Sequence, residues 1–155
     1  MKTSLEISSY QTSELVDEQL ISKLVQMDND YFPTPWIRSH WKEGLLRADY
    51  SIHLATLEGQ LVGYALYSEI QIEELAHLLK VVVDPACEGQ NFATQLLKHS
   101  FLNLSKKGLS GIYLEVSVKN DKAIGLYEKL EFKQLNRIKN FYRDSVDAFA
   151  MRKEL

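Results

Sequence analysis

One segment constrains the fold more than any other. In it, a β-branched run leads directly into a turn and then into apolar residues that recur at helical spacing. The run EELAHLLKVVV is ambiguous at its front, but its valines stop at Asp84-Pro85, which predicts a strand. Beyond Cys87-Glu88-Gly89-Gln90, apolar residues recur at helical spacing and end at Lys106-Lys107-Gly108, a cationic last turn with a glycine cap. A helix that opens after such a turn presents free N–H groups to an anion, although a plain strand-to-helix connection has the same sequence.

The other elements follow from the same periodicities. Helical spacing predicts a first helix over 13–27, with Thr12 or Ser13 as N-cap, and a second over 36–47, and the stretch 28–35 breaks the pattern. Two alternating runs separated by Glu58-Gly59 predict an antiparallel hairpin. Predicted strands cover 5–7, 51–57, 60–70, the end of 73–83, 112–118, 132–138 and 148–151, and further helices run from near 91 to 107 and over 122–130. The order β-α-α-β-β-β-α-β-α-β-β is an α/β (α+β) fold.

Length and composition exclude several classes of protein. The 155 residues predict one domain over 1–155, and the single cysteine, Cys87, excludes a disulfide framework and a multi-cysteine zinc site. No apolar run is long enough to span a membrane and no signal peptide opens the chain, so we expect a cytoplasmic protein with no membrane partner. The net charge of −3 argues against direct nucleic-acid binding, although residues 1–94 hold 6 Lys/Arg against 14 Asp/Glu and residues 95–155 hold 12 against 7. The four histidines are scattered, and we expect no metal.

Two side chains, one in the predicted strand 112–118 and one in the predicted helix 122–130, could act in acid–base chemistry. Strand alternation over 112–118 places Glu115 opposite a wholly apolar face, so it is either a solvent-facing carboxylate or a general base at a cleft in the sheet. Tyr127, in the helix that Asn120 or Asp121 caps, is either a core-edge aromatic or a phenol that donates a proton. The residues alone leave both alternatives open.

The sequence resembles a known family at these positions. The strings LLKVVVDPACEGQNFATQLL and YLEVSVKNDKAIGLYEKLEF look like the acetyl-CoA motifs of the GNAT acetyltransferase superfamily. FPTPW and RIKNFYRDSVDAFAMRKEL are similar to the ribosomal-protein-alanine N-acetyltransferases of the RimI type, and the resemblance covers residues 28–155. It implies a mixed sheet of about six to seven strands flanked by about four helices, with acetyl-CoA as cosubstrate and an acyltransferase activity on a primary amine.

The resemblance also assigns roles to residues. Glu115 matches the general base that deprotonates the amine, and Tyr127 matches the proton donor to the CoA thiolate. His77 and Tyr142 match the acceptor side, although a histidine at such a position is more often simply hydrogen-bonded on a sheet face. Phe32 and Trp36 match a wall of the acceptor groove, or they merely staple their loop to the core. The implied cofactor-binding residues are Val81, Val82, Val83, Gly89, Gln90, Asn91, Phe92, Ala93, Thr94 and Asn120.

Three residues depart from the family pattern. Glu88 stands where Gln or Arg is usual, Asn91 replaces a glycine, and Glu131 occupies a helix C-terminus that favours glycine. The implied acceptor is the N-terminal alanine of a small-subunit ribosomal protein. The alternatives are a small amine, such as a polyamine or antibiotic, and a non-catalytic module that binds CoA or a partner. We expect a monomer or weak homodimer.

Overall fold

The computed structural model describes residues 4–15 and 17–155. Over these residues the chain forms one mixed sheet with helices on it, as the sequence predicts. The strands are β1 (Glu6–Gln11), β2 (Tyr50–Leu57), β3 (Gln60–Ile70), β4 (Leu75–Val83), β5 (Gly111–Ser117), β6 (Lys133–Ile138) and β7 (Ala148–Glu154). The helices are α1 (Glu18–Tyr31), α2 (Arg38–Leu45), α3 (Phe92–Lys106) and α4 (Asp121–Lys129). Within the described ranges, no helix is long and apolar enough to cross a bilayer.

The sheet order is β1-β2-β3-β4-β5-β7-β6. Among the strand pairs of the described residues, only the central pair, β4 with β5, is parallel, and α3 is the crossover that such a connection requires. The predicted order of elements and the mixed sheet with four helices are confirmed. Two cores lie on the sheet: one contains the apolar face of α3, and the other contains α1 and α2.

The central pair separates soon after it forms. β4 and β5 pair only from Leu75 opposite Gly111 to His77 opposite Tyr113, whereas β3 stays paired with β4 as far as Val83. β5 is paired along its length with β7. The edge of β4 that faces β5 is therefore open beyond His77, and its backbone groups are free to bind an extended ligand.

A β-bulge in β4 changes the face of the sheet to which the following side chains point. Leu66 lies opposite Lys80 and Tyr67 opposite Leu78, so Leu79 is an extra residue. Leu78 packs in the α3 core, whereas Leu79 and Val82 pack with α1 and α2. Because of the bulge, the charged side chain of Lys80 points into the protein on the α1 side, where it is 3% exposed.

The boundaries of the first helix differ from the prediction. α1 begins at Glu18, where the Asp17 carboxylate accepts from the Gln19 N–H at 2.9 Å, and it continues through residue 28 to Tyr31. The two predicted caps, Thr12 and Ser13, instead lie in a 3₁₀ turn, and the Thr12 hydroxyl donates to the carbonyls of Arg47 and Tyr50. The polar residues after 27 do not end the helix because Asp28 is buried and fully bonded.

Other boundaries differ by less. β1 extends to Gln11 because every residue pairs with β2, although its sequence is too polar to show a strand. β4 begins at Leu75, which resolves the ambiguous front of its run, and α2 begins at Arg38. The hairpin turn is as predicted, with Leu57 opposite Gln60. Asn120 caps α4, as one of the two predicted candidates.

Candidate active site

The first part of the site is the loop between β4 and α3. Gly89 and Asn91 both have left-handed backbone angles, with φ of 83° and 58°. Asn91 thus adopts the conformation for which glycine is usual, which asparagine tolerates better than most residues. It is the N-cap of α3, yet its side chain makes no capping hydrogen bond. The first N–H groups of α3 therefore remain available to an anion, so this segment fits a ligand with phosphates.

The other implied cofactor residues surround this loop. Val81 and Val83 are partly buried and pack against the α3 core, and Val82 is buried on the α1 side. The side chain of Phe92 is also buried in the α3 core, so its backbone alone is available to a ligand. The three remaining residues of the segment are Gln90, Ala93 and Thr94, which are exposed or partly buried.

Glu88, at the start of this loop, has a cationic partner. Its carboxylate forms an ion pair with Lys122 in the first turn of α4, and both side chains are more than half exposed. The Lys122 ammonium lowers the pKa of Glu88, first through the hydrogen bond and then through its charge. The pair joins the loop after β4 to the helix after β5, across the opening between the strands. The negative charge that departs from the family pattern is therefore compensated.

Asn120 lies on the far side of the same opening. Its Oδ1 accepts from the Ala123 N–H at 3.1 Å and caps α4. The carbonyl of this side chain is thus used within the protein, and only its amide group is left for a ligand.

The second part of the site lies where β4 and β5 separate. His77 Nε2 is 2.6 Å from Glu115 Oε2, and the side chains are 29% and 16% exposed. Tyr113 is the register partner of His77, with ring centroids 5.3 Å apart. Burial raises the pKa of Tyr113, and the Glu115 carboxylate raises it further. Glu115 is thus a partly buried carboxylate beside the opening between β4 and β5, hydrogen-bonded to the imidazole of His77.

Two further tyrosines extend this group. Burial raises the pKa of Tyr142, and the charge of Glu115 adds to the effect. Burial likewise raises the pKa of Tyr127, with a smaller contribution from Tyr142. Both phenols are protonated at neutral pH, as an unperturbed tyrosine also is. We call His77, Glu115, Tyr127 and Tyr142 the acid–base cluster, because Glu115 contacts His77, and Tyr142 interacts electrostatically with both Glu115 and Tyr127, whose ring is buried in the α3 core.

The end of α4 holds Tyr127 in place. The Phe132 N–H donates to the Tyr127 carbonyl at 2.9 Å and the Glu131 N–H to the Glu128 carbonyl at 3.0 Å, which is a Schellman motif. The rings of Tyr127 and Phe132 pack with centroids 5.5 Å apart. Glu131 has a φ of 70°, the left-handed conformation that favours glycine. Glutamate in place of glycine here strains the backbone, but both hydrogen bonds of the Schellman motif still form.

Phe32 and Trp36 lie on the other side of the sheet from α3. Both are partly buried and pack against the core of α1 and α2. The Lys80 ammonium lies 3.8 Å from the Phe32 ring centroid and 4.8 Å from that of Trp36. These contacts are those of residues that staple their loop to the core; a simultaneous role as a groove wall stays a prediction.

Sequence reasoning did not single out Tyr113, Lys80 or Asp28. Tyr113 shares the face of Glu115 by strand alternation, so this signal was available. Lys80 interrupts the apolar run LLKVVV, and a charge at such a position is a signal of a buried partner. No sequence signal identifies Asp28 as that partner.

Comparison with known proteins agrees with this geometry. Residues 20–132 match the sequence profile of the Acetyltransferase (GNAT) family. The chain belongs to the GNAT acetyltransferase family. An N-alpha-acetyltransferase of Saccharolobus solfataricus is 29% identical over 146 residues, with 87% of each chain covered. The [ribosomal protein bS18]-alanine N-acetyltransferase of Haemophilus ducreyi is 30% identical over 132 residues, which cover 83% of this chain and 87% of that one.

A solved structure shows the same GNAT architecture. The ribosomal-protein-S18-alanine N-acetyltransferase from Escherichia coli superposes with a TM-score of 0.84 at 25% identity, covering 97% of this chain and 94% of that one. The resemblance to GNAT enzymes of the RimI type is therefore confirmed. This GNAT protein is an acetyl-CoA-dependent N-acetyltransferase.

Proposed function

We propose that this enzyme transfers the acetyl group of acetyl-CoA to the N-terminal α-amine of a protein, with a ribosomal protein that begins with alanine as the acceptor. The names of the relatives support the class of acceptor. The observation that carries the chemistry is the 2.6 Å contact between His77 and Glu115, at the point where the central strands separate. We also propose a cytoplasmic enzyme of one domain, a monomer or weak homodimer that needs no metal.

The chain offers separate surfaces for the two substrates. The open edge of β4 at Val81, Val82 and Val83 would bind the pantetheine arm as an added strand, and the segment 89–94 would bind the phosphates through backbone N–H groups. Bound acetyl-CoA supplies an activated thioester acyl group. A backbone N–H of β4 would stabilise the oxyanion that forms at its carbonyl.

Glu115 would remove the proton that an α-ammonium group must lose before it can react. An ammonium has no lone pair and must lose a proton before it attacks, and an α-amine has a pKa of about 8 against about 10.4 for lysine. Glu115 takes that proton, directly or through water, and His77 holds the carboxylate in place by a hydrogen bond. Tyr127, which is protonated at neutral pH, donates a proton to the departing sulfur. Tyr142 lies near both and faces the acceptor.

Glu88 and Asn91 are the two reasons to consider a non-catalytic module, and the structure weakens both. Glu88 is paired with Lys122, and Asn91 adopts the left-handed conformation that the loop requires. The remaining alternative is a small amine, such as a polyamine or antibiotic. A small amine would bind if the acceptor side were open, so the experiment below also tests spermidine.

The test measures turnover of acetyl-CoA with an alanine-starting peptide and, separately, with spermidine. We expect the peptide to be preferred, and Glu115→Gln and Tyr127→Phe each to lower kcat/KM by about tenfold or more. Glu73→Gln, which alters an exposed carboxylate in the turn before β4, is the matched control and keeps full activity.

Two outcomes count against the proposal. If spermidine is preferred over every peptide, the acceptor is wrong. If neither Glu115→Gln nor Tyr127→Phe slows turnover, the acid–base cluster is not the catalytic machinery.

A further inference from the structure

A buried ion pair lies under the loop that joins α1 to α2. The Lys80 ammonium is 2.9 Å from Asp28 Oδ2 and 3.1 Å from Oδ1, and the two side chains are 2% and 0% exposed. The residues are 52 positions apart in the chain, on β4 and near the end of α1. An ion pair so fully withdrawn from water gains little net stability over apolar packing, so its presence calls for another reason.

The Asp28 carboxylate is bonded at every position. Its Oδ1 also accepts from the Tyr64 hydroxyl at 2.5 Å, and its Oδ2 accepts from the Trp36 backbone N–H at 2.6 Å. The last of these bonds reaches directly into the loop, eight residues beyond Asp28. The carboxylate therefore fixes the backbone of Trp36 to the end of α1, and Lys80 fixes the carboxylate to the sheet.

The Lys80 ammonium is enclosed by aromatic rings as well. The rings of Phe32, Trp36 and Trp41 have their centroids 3.8, 4.8 and 5.9 Å from Nζ. Contacts of a desolvated ammonium with ring faces are attractive, because the ring quadrupole is negative at its face. Burial lowers the pKa of Lys80, whereas its bonds to Asp28 oppose that shift. The cation thus holds the side chains of the loop from beneath, while Asp28 holds its backbone.

The position of Lys80 in β4 connects this anchor to the acid–base cluster. His77 lies three residues before Lys80, and the bulge at Leu79 turns Lys80 to the α1 face while Val81 remains on the α3 side. One short strand therefore holds the histidine of the cluster, the anchor of the loop and the edge for the cofactor. A rigid strand fixes these three parts relative to one another.

We propose that Lys80 and Asp28 are positioning residues that hold the loop from Phe32 to Trp36 as a wall for the acceptor. The inference rests on the proposed function, in which this loop borders the acceptor. It assigns neither residue a place in the chemistry. Loss of the pair affects binding of the acceptor and leaves binding of acetyl-CoA unchanged.

The first test reads the anchor without activity. In the wild-type enzyme, NMR hydrogen exchange should show the Trp36 amide strongly protected, because it donates to a buried carboxylate. Lys80→Met should raise the exchange rate of that amide by about tenfold or more while the amides of the β2–β3 hairpin stay protected. If the Trp36 amide of the wild-type enzyme exchanges as fast as that of Thr34, there is no anchor and the inference is overturned.

The second test separates positioning from general damage. Lys80→Met should raise KM for the acceptor peptide by about tenfold and leave KM for acetyl-CoA within about twofold. The double variant Asp28→Asn/Lys80→Met leaves no unpaired buried charge, so it should fold at least as stably as Lys80→Met and show the same rise in acceptor KM. The matched control is Arg38→Met, which removes an exposed ion pair between α2 and α1, the two helices that the loop joins, and should change neither constant.

The outcomes distinguish the two proposals. A wild-type enzyme that does not acetylate peptides contradicts the proposed function, while the exchange of the Trp36 amide still decides the anchor. Equal changes in both KM values, or unchanged acceptor KM in a folded double variant, overturn the positioning role.

Discussion

His53 is a histidine held neutral in the core, and acid should destabilise the protein through it. The side chain lies in β2 with the residue 0% exposed, and its Nδ1 is 2.7 Å from the Ser9 hydroxyl. Its Nε2 has no hydrogen-bond partner in the part of the chain that the structure describes. Burial lowers the pKa of His53 to about 3, and the charges of Lys107 and His99 act in the same direction.

The sign and size of the effect follow from that pKa. Below the unfolded pKa of 6.5, the unfolded chain takes up a proton that the folded protein refuses until the pH approaches 3. The contribution to stability is therefore present above pH 6.5 and is lost as the pH falls. Each unit of difference is worth about 1.4 kcal/mol, so the free energy of unfolding should fall by about 2 kcal/mol between neutral pH and pH 5.

Urea unfolding at a series of pH values measures this loss. His53→Phe, which replaces the imidazole with a ring that does not titrate, should abolish most of the loss between pH 7 and 5. His40→Gln, at an exposed histidine of α2, is the matched control and should keep the slope of the wild-type protein. If His53→Phe and the wild-type protein lose stability in parallel, His53 does not titrate as its burial implies.

The remaining predictions concern the helix end and the cofactor loop. Glu131→Gly should raise the midpoint of thermal unfolding by about 2–4 °C, because it removes about 1 kcal/mol of left-handed strain. Gly108→Ala, at the equivalent position after α3, should lower the midpoint by a similar amount, and shifts of the same sign would contradict the argument. In initial-rate titrations, Glu88→Gln should lower KM for acetyl-CoA by about twofold to fivefold, and Lys122→Gln, which leaves Glu88 uncompensated, should raise it. A fall in KM for both variants would show that the pair does not act as described.

The strongly patterned elements could be predicted from the sequence. The hairpin of β2 and β3, the apolar stripe of α3 and the strand β5 all lie within about two residues of their predicted bounds, since periodicity and turn residues act locally. The ends of α1 could not be predicted in this way. Asp28 looks like a helix breaker until its partner Lys80 is known, and that partner is distant in the chain.

Some parts of the candidate site could likewise be predicted from the sequence, and others could not. Glu115 and Tyr127 could be chosen from alternation and from the family resemblance, but the contact of Glu115 with His77 depends on the parallel pairing of β4 with β5. The pairing of Glu88 with Lys122 depends on how two loops meet across that opening. A bulge of one residue at Leu79 decides where Lys80 points, and no pattern in the run LLKVVV reveals it.

The central claim is that the acetyl group goes to an α-amine. The most direct measurement is to incubate the enzyme with acetyl-CoA and a peptide that begins with alanine and contains one internal lysine, and to locate the acetyl group by fragmentation mass spectrometry. We predict a single acetyl group on the terminal alanine, and about tenfold less of this product or lower still when the Glu115→Gln variant is incubated for the same time. An acetyl group on the lysine side chain, or none on the peptide, would contradict it.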